Sequence, residues 1–270
     1  MPFAHLILLA LVQGVTEFLP ISSSAHLVLV PLLTGWRDQG VLIDVAMHVG
    51  TLAAVLIYFH RDTRGLFLAL LASLGVRPAG RRLGDQQTAY RRLFWALVLA
   101  TIPVVMVGLA FKLTGLIDML RRVEVIATTS IVFGLVLWWA DRRGATARGF
   151  DDIKLKAALL IGLAQVLALI PGTSRSGITM TAARALGFNR PSAARFSMLL
   201  AIPTILAAGG LEMLELLQLG TDAPWSDALL AAGLSFLFAL AAIGGLMRWL
   251  RHADFTIFVV YRVLLGAGLF

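Results

Sequence analysis

The sequence predicts an all-α polytopic membrane protein in which residues 1–270 form a single membrane domain. Of the 270 residues, 59% are hydrophobic and only 14% are charged, and the mean hydropathy is +0.87. Soluble domains usually carry about 25% charged residues. Two apolar segments are also interrupted by polar turns that contain Pro20 and Pro171. Nearly the whole chain is therefore expected to lie in or near a lipid bilayer.

The formal net charge of +8 comes mainly from arginines grouped between the apolar segments. In a soluble protein this excess would suggest binding to nucleic acid. Here the arginines are expected to face anionic lipid at the cytoplasmic surface, and no nucleic-acid partner is predicted. The chain has no cysteine, which excludes disulfide bonds.

Six apolar segments are predicted to be transmembrane helices. Each has roughly 16–24 residues, which is close to the length needed to cross a ~30 Å hydrocarbon core. The predicted spans are residues 41–59, 93–111, 123–140, 193–216, 227–247 and 255–270. The last of them is short, so it would have to tilt or be capped by its neighbours.

Two further apolar segments, residues 3–33 and 155–187, are broken near the middle. The first breaks at Pro20 and a run of three serines, and the second breaks at the sequence PGTSRSG, residues 171–177. Non-helical backbone at membrane depth is tolerated only where protein or a wet cavity surrounds it. Both segments are therefore predicted to be re-entrant helix hairpins that do not cross the membrane.

Most of the 23 basic residues lie in four regions, which include the loops 60–92 and 141–156. The positive-inside rule places these regions in the cytoplasm and both chain termini outside. The chain is then predicted to contain a first repeat, a cytoplasmic linker and an inverted second repeat, each repeat being a hairpin followed by three spans. The predicted boundaries are 1–140, 141–154 and 155–270. In such folds the functional site lies where the broken helices meet.

The residues after Pro20 and Pro171 are typical of helix starts, with hydroxyl side chains as candidate caps. Two helix N-termini that face each other form a site for an anion, and phosphate is its natural ligand. Arg175 strengthens this prediction because its planar guanidinium matches phosphate oxygens. As an alternative or in addition, Arg175 forms an ion pair with Glu17. The candidate donors to phosphate oxygens are Ser22, Ser24, Thr173, Ser174, Ser176 and Thr179.

Gln13 and Glu17 are four residues apart, so they share one helix face. A carboxylate at an anion site becomes favourable when a divalent cation bridges it to phosphate, and oxygen ligands suit Mg²⁺ or Ca²⁺. Gln13 and Glu17 are therefore predicted to bind such a cation. The alternatives are an interhelical hydrogen bond for Gln13 and a satisfied buried acid for Glu17.

Ser23 and His26 are three residues apart, so they are neighbours on a helix. A nucleophile needs a base within hydrogen-bond reach, and histidine is the usual proton shuttle. The pair is predicted to act as nucleophile and base, although water could replace Ser23 as the nucleophile, and His26 could instead bond a neighbouring helix. His48 is expected to pack in its span, and Glu212 is assigned no role.

The sequences QGVTEFLPISSSAH (13–26) and PGTSRSGIT (171–179) resemble the two signature regions of the undecaprenyl-diphosphate phosphatase family, the bacitracin-resistance type. The resemblance extends to ARFSMLLAIP, residues 194–203. It implies an inverted-repeat membrane enzyme that depends on a divalent cation. Its expected reaction is hydrolysis of undecaprenyl diphosphate to the monophosphate and phosphate, which recycles the lipid carrier for peptidoglycan synthesis.

The resemblance also implies functional residues and a location. The expected catalytic residues are Glu17, Ser23, His26 and Arg175, and Ser174 and Thr179 match phosphate-binding positions. Glutamine stands at position 13, where many members have glutamate, which leaves open whether this position binds metal by charge. The expected location is the bacterial plasma membrane, with the site opening to the periplasm. The expected partners are a polyprenyl diphosphate lipid and, as an option, a second copy of the chain.

A transporter or flippase for a polyprenyl phosphate lipid is the rival interpretation. Inverted repeats with broken helices and facing N-termini are also a transporter architecture. A flippase would need the same anion site, but it would not need a nucleophile, a base or a metal-binding carboxylate. Release of phosphate by the protein in detergent, where no membrane gradient exists, separates the two interpretations.

Overall fold

The computed structural model describes residues 2–36, 39–219 and 225–270, and within these ranges the chain is helical. The first half contains eight helices, several of them short. They are α1 (Phe3–Thr16), α2 (Ser23–Thr34), α3 (Val41–Tyr58), α4 (His60–Ser73), α5 (Arg77–Leu83), α6 (Gln87–Thr114), α7 (Leu116–Leu120) and α8 (Val123–Arg143).

The second half contains five further α-helices. They are α9 (Leu155–Gln165), α10 (Arg175–Ala185), α11 (Arg190–Leu219), α12 (Trp225–Trp249) and α13 (Thr256–Gly268). Short 3₁₀ turns lie at Gly84–Gln86, Phe150–Asp152 and Val166–Leu169. Within the described ranges, the backbone pairs in β fashion at one isolated bridge, between Arg148 and Phe188.

Five segments are long and apolar enough to cross a membrane, which confirms the prediction of a polytopic membrane protein. They are Val41–Tyr58, Gly84–Thr114, Val123–Arg143, Arg190–Leu214 and Trp225–Trp249. The sixth predicted span, residues 255–270, contains only the 13-residue helix α13. At 1.5 Å per residue such a helix is about 20 Å long, shorter than the hydrocarbon core. This segment was already expected to be short, and the helix is shorter than the apolar run, which continues beyond it at both ends.

Both interrupted segments are broken where the sequence predicted. The first is α1 and α2 joined by a turn at residues 17–22, and the second is α9 and α10 joined by a 3₁₀ turn and residues 170–174. The predicted inversion of the second half relative to the first, with boundaries at 140 and 155, stays a prediction. The predicted loop 60–92 differs from expectation in one respect, since it contains the helices α4 and α5.

The first helix of each hairpin packs against a helix of the other half of the chain. Glycines allow this close approach: a Cβ atom at Gly14 would lie 2.7 Å from Cβ of Phe238 on α12, and one at Gly162 would lie 2.3 Å from the carbonyl oxygen of Ala100 on α6. Helices of the two halves are therefore in close contact, and the single membrane domain stays a prediction. One core of buried apolar side chains, among them Phe18, Phe196 and Ile243, contacts the first turn and the second hairpin, and a separate cluster that includes Leu6 and Leu27 packs around α1 and α2.

Asp141, in the last turn of α8, stabilises the arginine-rich end of the molecule. Its carboxylate accepts hydrogen bonds from Arg184 Nε at 2.8 Å and from Arg190 Nε at 2.9 Å. Arg184 is fully buried, and it also donates to the carbonyl oxygens of Asp141, Gly144, Ala145 and Phe188. One buried ion pair therefore connects α8, the linker, α10 and the start of α11.

Replacing Asp141 by asparagine is expected to destabilise the fold strongly. Removing one partner of a buried ion pair leaves an uncompensated charge and costs about 3–5 kcal/mol. The measurement is thermal unfolding in detergent. The matched control is Glu124→Gln, which removes the carboxylate of the exposed Arg122–Glu124 pair and should leave the Tm unchanged. Equal Tm values for the two variants would contradict the role given to Asp141.

Candidate active site

The two hairpin turns end in helix starts of the same geometry. Ser22 caps α2 by accepting a hydrogen bond on Oγ from Ala25 N at 3.4 Å, and Ser174 caps α10 by accepting one from Gly177 N at 3.1 Å. Both serines have positive φ, 76° and 72° respectively. The Oγ atoms two residues apart, on Ser22 and Ser24 and on Ser174 and Ser176, are separated by 3.2 Å in each turn. The predicted caps are confirmed.

The two turns contact each other inside the molecule. Ser176 Oγ donates to the carbonyl oxygen of Leu19 at 2.8 Å. Arg175 Nη2 donates to Glu17 Oε1 at 2.8 Å, and Arg175 Nη1 donates to the carbonyl oxygen of Ser197 on α11 at 3.0 Å. The predicted meeting of the hairpin tips is therefore seen, and the ion pair foreseen for Arg175 is made.

Glu17 is the centre of this cluster, and it is only 8% exposed. Its second oxygen, Oε2, accepts from Ser23 Oγ at 2.7 Å and from Gln13 Nε2 at 3.1 Å. His48 Nε2 lies 3.9 Å from the same oxygen. One carboxylate thus contacts Arg175 at the start of α10, the candidate nucleophile Ser23 at the start of α2, and His48 on α3.

A cavity of about 270 Å³ lies beside this cluster. Its polar wall comes from both turns and from His48 on α3, and its mainly apolar wall comes from α6, the 3₁₀ turn after α9, and α11. The polar wall contains Glu17, Ser22, Ser23, Ser24, His48, Ser174 and Arg175, and the other wall contains Val104, Ala168, Leu169, Thr204, Ile205, Ala208, Gly209 and Glu212. The cavity follows the second half of α11, away from the arginine-rich end.

The structure does not bring Ser23 and His26 together as predicted. His26 Nδ1 lies 2.6 Å from the carbonyl oxygen of Ser22, so Nδ1 carries the proton and donates it. His26 Nε2 then accepts from the hydroxyl of Tyr261, also at 2.6 Å. The helical spacing is as expected, but the ring turns back along its own helix toward Ser22 and α13. Ser23 donates to Glu17 instead.

The predicted phosphate donors divide into two groups. Ser22, Ser24 and Ser174 line the cavity. Thr173, Ser176 and Thr179 are buried and lie outside its lining. Thr179 Oγ1 donates within α10 and lies 2.7 Å from Ser197 Oγ on α11, so it supports the turn from behind.

The cation prediction rests on Glu17 and Gln13. Within the described residues, three or more His, Cys, Asp or Glu side chains do not gather into a metal-binding group. The Gln13 amide presents Nε2 to Glu17, and its Oε1 is buried without a hydrogen-bond partner in the described structure. One carboxylate and one amide oxygen suit Mg²⁺, which binds one or two carboxylates together with substrate phosphates. The residues present fit a cation that arrives with a phosphate ligand.

Four further residues of the site were not found from the sequence. His48 and Glu212 line the cavity, Tyr261 bonds His26, and Arg262 bonds both turns. A lone arginine within the apolar segment 255–270 was an available signal, because an ionisable residue at membrane depth usually has a function. His48 and Glu212, which are ionisable and lie within predicted spans, carried the same signal, whereas Tyr261 carried none.

The fold and the site define a polytopic membrane protein whose two broken helix hairpins meet beside a cavity lined by Glu17, Arg175 and serines of both turns. The sequence matches the family described as bacitracin resistance protein BacA over residues 6–268. The chain belongs to this family.

Several similar proteins carry the name undecaprenyl-diphosphatase. The one from Roseobacter denitrificans is 52% identical over 269 residues, which cover 98% of this chain and 97% of that protein. The one from Campylobacter curvus is 50% identical over 270 residues, covering 100% and 98%. The one from Hahella chejuensis is 48% identical over 269 residues, covering 100% and 97%. Each match covers almost the full length of both proteins.

Two substitutions of the capping Ser174 are expected to show how much stability the helix cap contributes and how much the backbone strain costs. Ser174→Ala removes the cap and keeps a residue with a Cβ at positive φ, so it should cost about 1 kcal/mol. Ser174→Gly also removes the cap but relieves the strain, so it should be close to neutral. Thermal unfolding of both variants checks the order. An alanine variant as stable as the glycine variant would contradict it.

Proposed function

We propose that the protein hydrolyses undecaprenyl diphosphate to undecaprenyl phosphate and inorganic phosphate, and so recycles the lipid carrier for peptidoglycan synthesis and gives resistance to bacitracin. The observation that carries the proposal is the partly buried contact of Ser23 and Arg175 with opposite oxygens of Glu17, beside a cavity with one mainly apolar wall. The names of the similar proteins support the same substrate.

The cavity suits a lipid with a diphosphate head group. The head group would lie between the N-termini of α2 and α10, where helix dipoles and free backbone N–H groups favour negative charge. Ser22, Ser24 and Ser174 offer hydroxyl donors from the same wall. The opposite wall presents Val104 and Ile205, so the prenyl tail can leave along an apolar surface toward lipid.

In the proposed reaction the Ser23 hydroxyl attacks the terminal phosphorus. The Ser23 proton passes to Glu17 Oε2, which already accepts its hydrogen bond at 2.7 Å. The bond between the terminal phosphorus and the bridging oxygen breaks, and undecaprenyl phosphate leaves. Water then hydrolyses the phosphoserine to release inorganic phosphate and restore Ser23. Arg175 stabilises the charge that develops on the transferred group.

His26 has a positioning role in this proposal instead of the role of base to Ser23. Its Nδ1 donates a hydrogen bond to the carbonyl oxygen of Ser22, the capping residue of α2, and so fixes the position of the first turn. Gln13 holds Glu17 through its Nε2 donor. A divalent cation, Mg²⁺ or Ca²⁺, would be held by Glu17, the Gln13 amide oxygen and the diphosphate, and when bound it would neutralise phosphate charge.

The proposed location is the plasma membrane of a bacterium, with the cavity opening to the periplasm. The arginine-rich end contains Asp141, Arg184 and Arg190, and the positive-inside rule places that end in the cytoplasm. The cavity extends along α11 from Thr204 to Glu212, away from Arg190 at the start of the same helix. A homodimer stays a prediction.

Two single substitutions at the ion pair are expected to abolish turnover. Glu17→Gln removes the proton acceptor, and Arg175→Ala removes the charge that stabilises the transferred phosphoryl group. We expect each to lower kcat/KM by at least about 10³-fold, by analogy with the loss of other charge-stabilising groups. The measurement is phosphate release from undecaprenyl diphosphate in detergent, with and without Mg²⁺.

The control is Glu124→Gln, which removes an exposed carboxylate remote from the site and should keep full activity. All variants should elute as monodisperse protein. Unimpaired turnover by either site variant would remove the residue from the proposed mechanism. A wild-type protein that releases no phosphate in detergent would favour a flippase over a phosphatase.

A test of the nucleophile uses substrate labelled with ³²P in the terminal phosphate. Rapid acid quenching of the wild-type protein is expected to trap a labelled enzyme, because the phosphoserine forms before water hydrolyses it. Ser23→Ala should trap none and should lose turnover. Ser24→Ala, on the neighbouring hydroxyl, should still trap label. Full turnover by Ser23→Ala would instead identify water as the nucleophile.

A further inference from the structure

Arg262 lies on α13, behind both hairpin turns, and its side chain is fully buried. All five of its hydrogen bonds go to backbone carbonyl oxygens. Two of them hold the second turn, at Gly172 and Thr173, both at 2.9 Å, and one reaches the first turn, at Pro20, at 3.4 Å. The remaining two go to α8, at Thr129 (3.3 Å) and Ser130 (3.2 Å). One guanidinium therefore connects both turns to α8.

The charge of Arg262 has no counter-ion in the described part of the structure. The ion pairs found there include the partly buried Arg175 and the buried Arg184, each with a carboxylate, but none includes Arg262. A buried arginine is retained at membrane depth only where polar groups or an anion compensate it. Since Glu17 and Arg175 neutralise each other, Arg262 leaves the two turns with one unmatched positive charge.

The bonds of Arg262 also fix the orientation of backbone donors. In a planar trans peptide the carbonyl group and the following N–H group point in opposite directions. The Thr173 carbonyl group points at Arg262, so the N–H group of Ser174 points away from Arg262. Ser174 lines the cavity and has a strained positive φ of 72°, which persists only where the surroundings hold it.

Glycines make room for this arginine on the elements that it crosses. A Cβ atom at Gly177, in the first turn of α10, would lie 2.9 Å from Arg262 Nη1. A Cβ atom at Gly134, on α8, would lie 3.3 Å from Arg262 Cβ. The guanidinium therefore reaches the turns through a path that larger side chains at these two positions would narrow.

We propose that Arg262 is a positioning residue for phosphoryl transfer. It fixes the two turns relative to each other, and its charge adds to the attraction of the cavity for a diphosphate. The first effect depends on the shape of the guanidinium, and the second depends only on its charge. The inference rests on the proposed function for the reaction, but its effect on anion binding can be measured without turnover.

Two substitutions separate shape from charge. Arg262→Lys keeps the positive charge but cannot bond both turns and α8 at once. We expect kcat for phosphate release to fall by about 10²-fold, as misplacement by about 1 Å does elsewhere, while KM changes less than kcat. Arg262→Ala loses the charge too. We expect inorganic diphosphate to raise the Tm of the wild type and of Arg262→Lys by similar amounts, and that of Arg262→Ala by clearly less.

Arg184→Lys is the matched control, because Arg184 is equally buried and bonds several carbonyl oxygens at the opposite, arginine-rich end. It should lower the Tm and leave kcat within about twofold, since the residue lies far from the phosphoryl-transfer site. Wild-type kcat in Arg262→Lys would overturn the positioning role. A fall in activity that is fully explained by a smaller amount of folded protein would overturn it too.

The same set of measurements distinguishes failure of the inference from failure of the proposed function. A wild-type protein that releases no phosphate contradicts the proposed function, and the diphosphate-induced change in Tm then still tests Arg262. An equal change in Tm for wild type and Arg262→Ala would overturn the contribution of charge. An Arg262→Lys protein that does not fold would assign the residue to folding alone and overturn the proposal.

Discussion

The contact on which the site depends is the ion pair between Glu17 and Arg175, made across two turns that lie 158 residues apart in the chain. Neither charge would be stable alone at membrane depth. Together they allow two non-helical turns to meet inside an apolar bundle, because each turn brings the partner that the other needs. The capping serines and the glycine-assisted packing of α1 and α9 hold the turns where this pair can form, and the same support maintains the positive φ of Ser22 and Ser174.

Much of this arrangement could be predicted from the sequence, because lipid restricts backbone geometry more severely than water does. A proline followed by hydroxyl residues within an apolar run has few structural explanations, and this pattern predicted the breaks at Pro20 and Pro171 and hydroxyl caps after them. It did not show which hydroxyl residues would be the caps, and the Glu17–Arg175 pair was one of two interpretations of Arg175. Span length was predicted less well at residues 255–270, since apolar character continues beyond the ends of α13.

The errors concern side-chain direction, which local spacing does not determine. Ser23 and His26 are at a suitable helical distance, but the partner of each side chain comes from elsewhere: Glu17 from the preceding helix and Tyr261 from α13. His48 looked like a packing residue because its neighbours in the span are apolar, and only the packing of α3 against the first hairpin places it near Glu17. Contacts between elements that are distant in the sequence can be identified only from the folded structure.

The hydrogen bonds that Glu17 already makes to Arg175 and Ser23 also affect how the site would respond to substrate. With Arg175 on Oε1 and Ser23 on Oε2, the carboxylate is neutralised and its affinity for the serine proton is low. A diphosphate in the cavity would compete for the guanidinium, because phosphate offers it the same bidentate geometry as a carboxylate. As Arg175 turns to the phosphate, Glu17 loses its counter-charge and becomes a better acceptor for the Ser23 proton. Under the proposed function, binding of the anion therefore activates the nucleophile, and an empty cavity leaves it inactive.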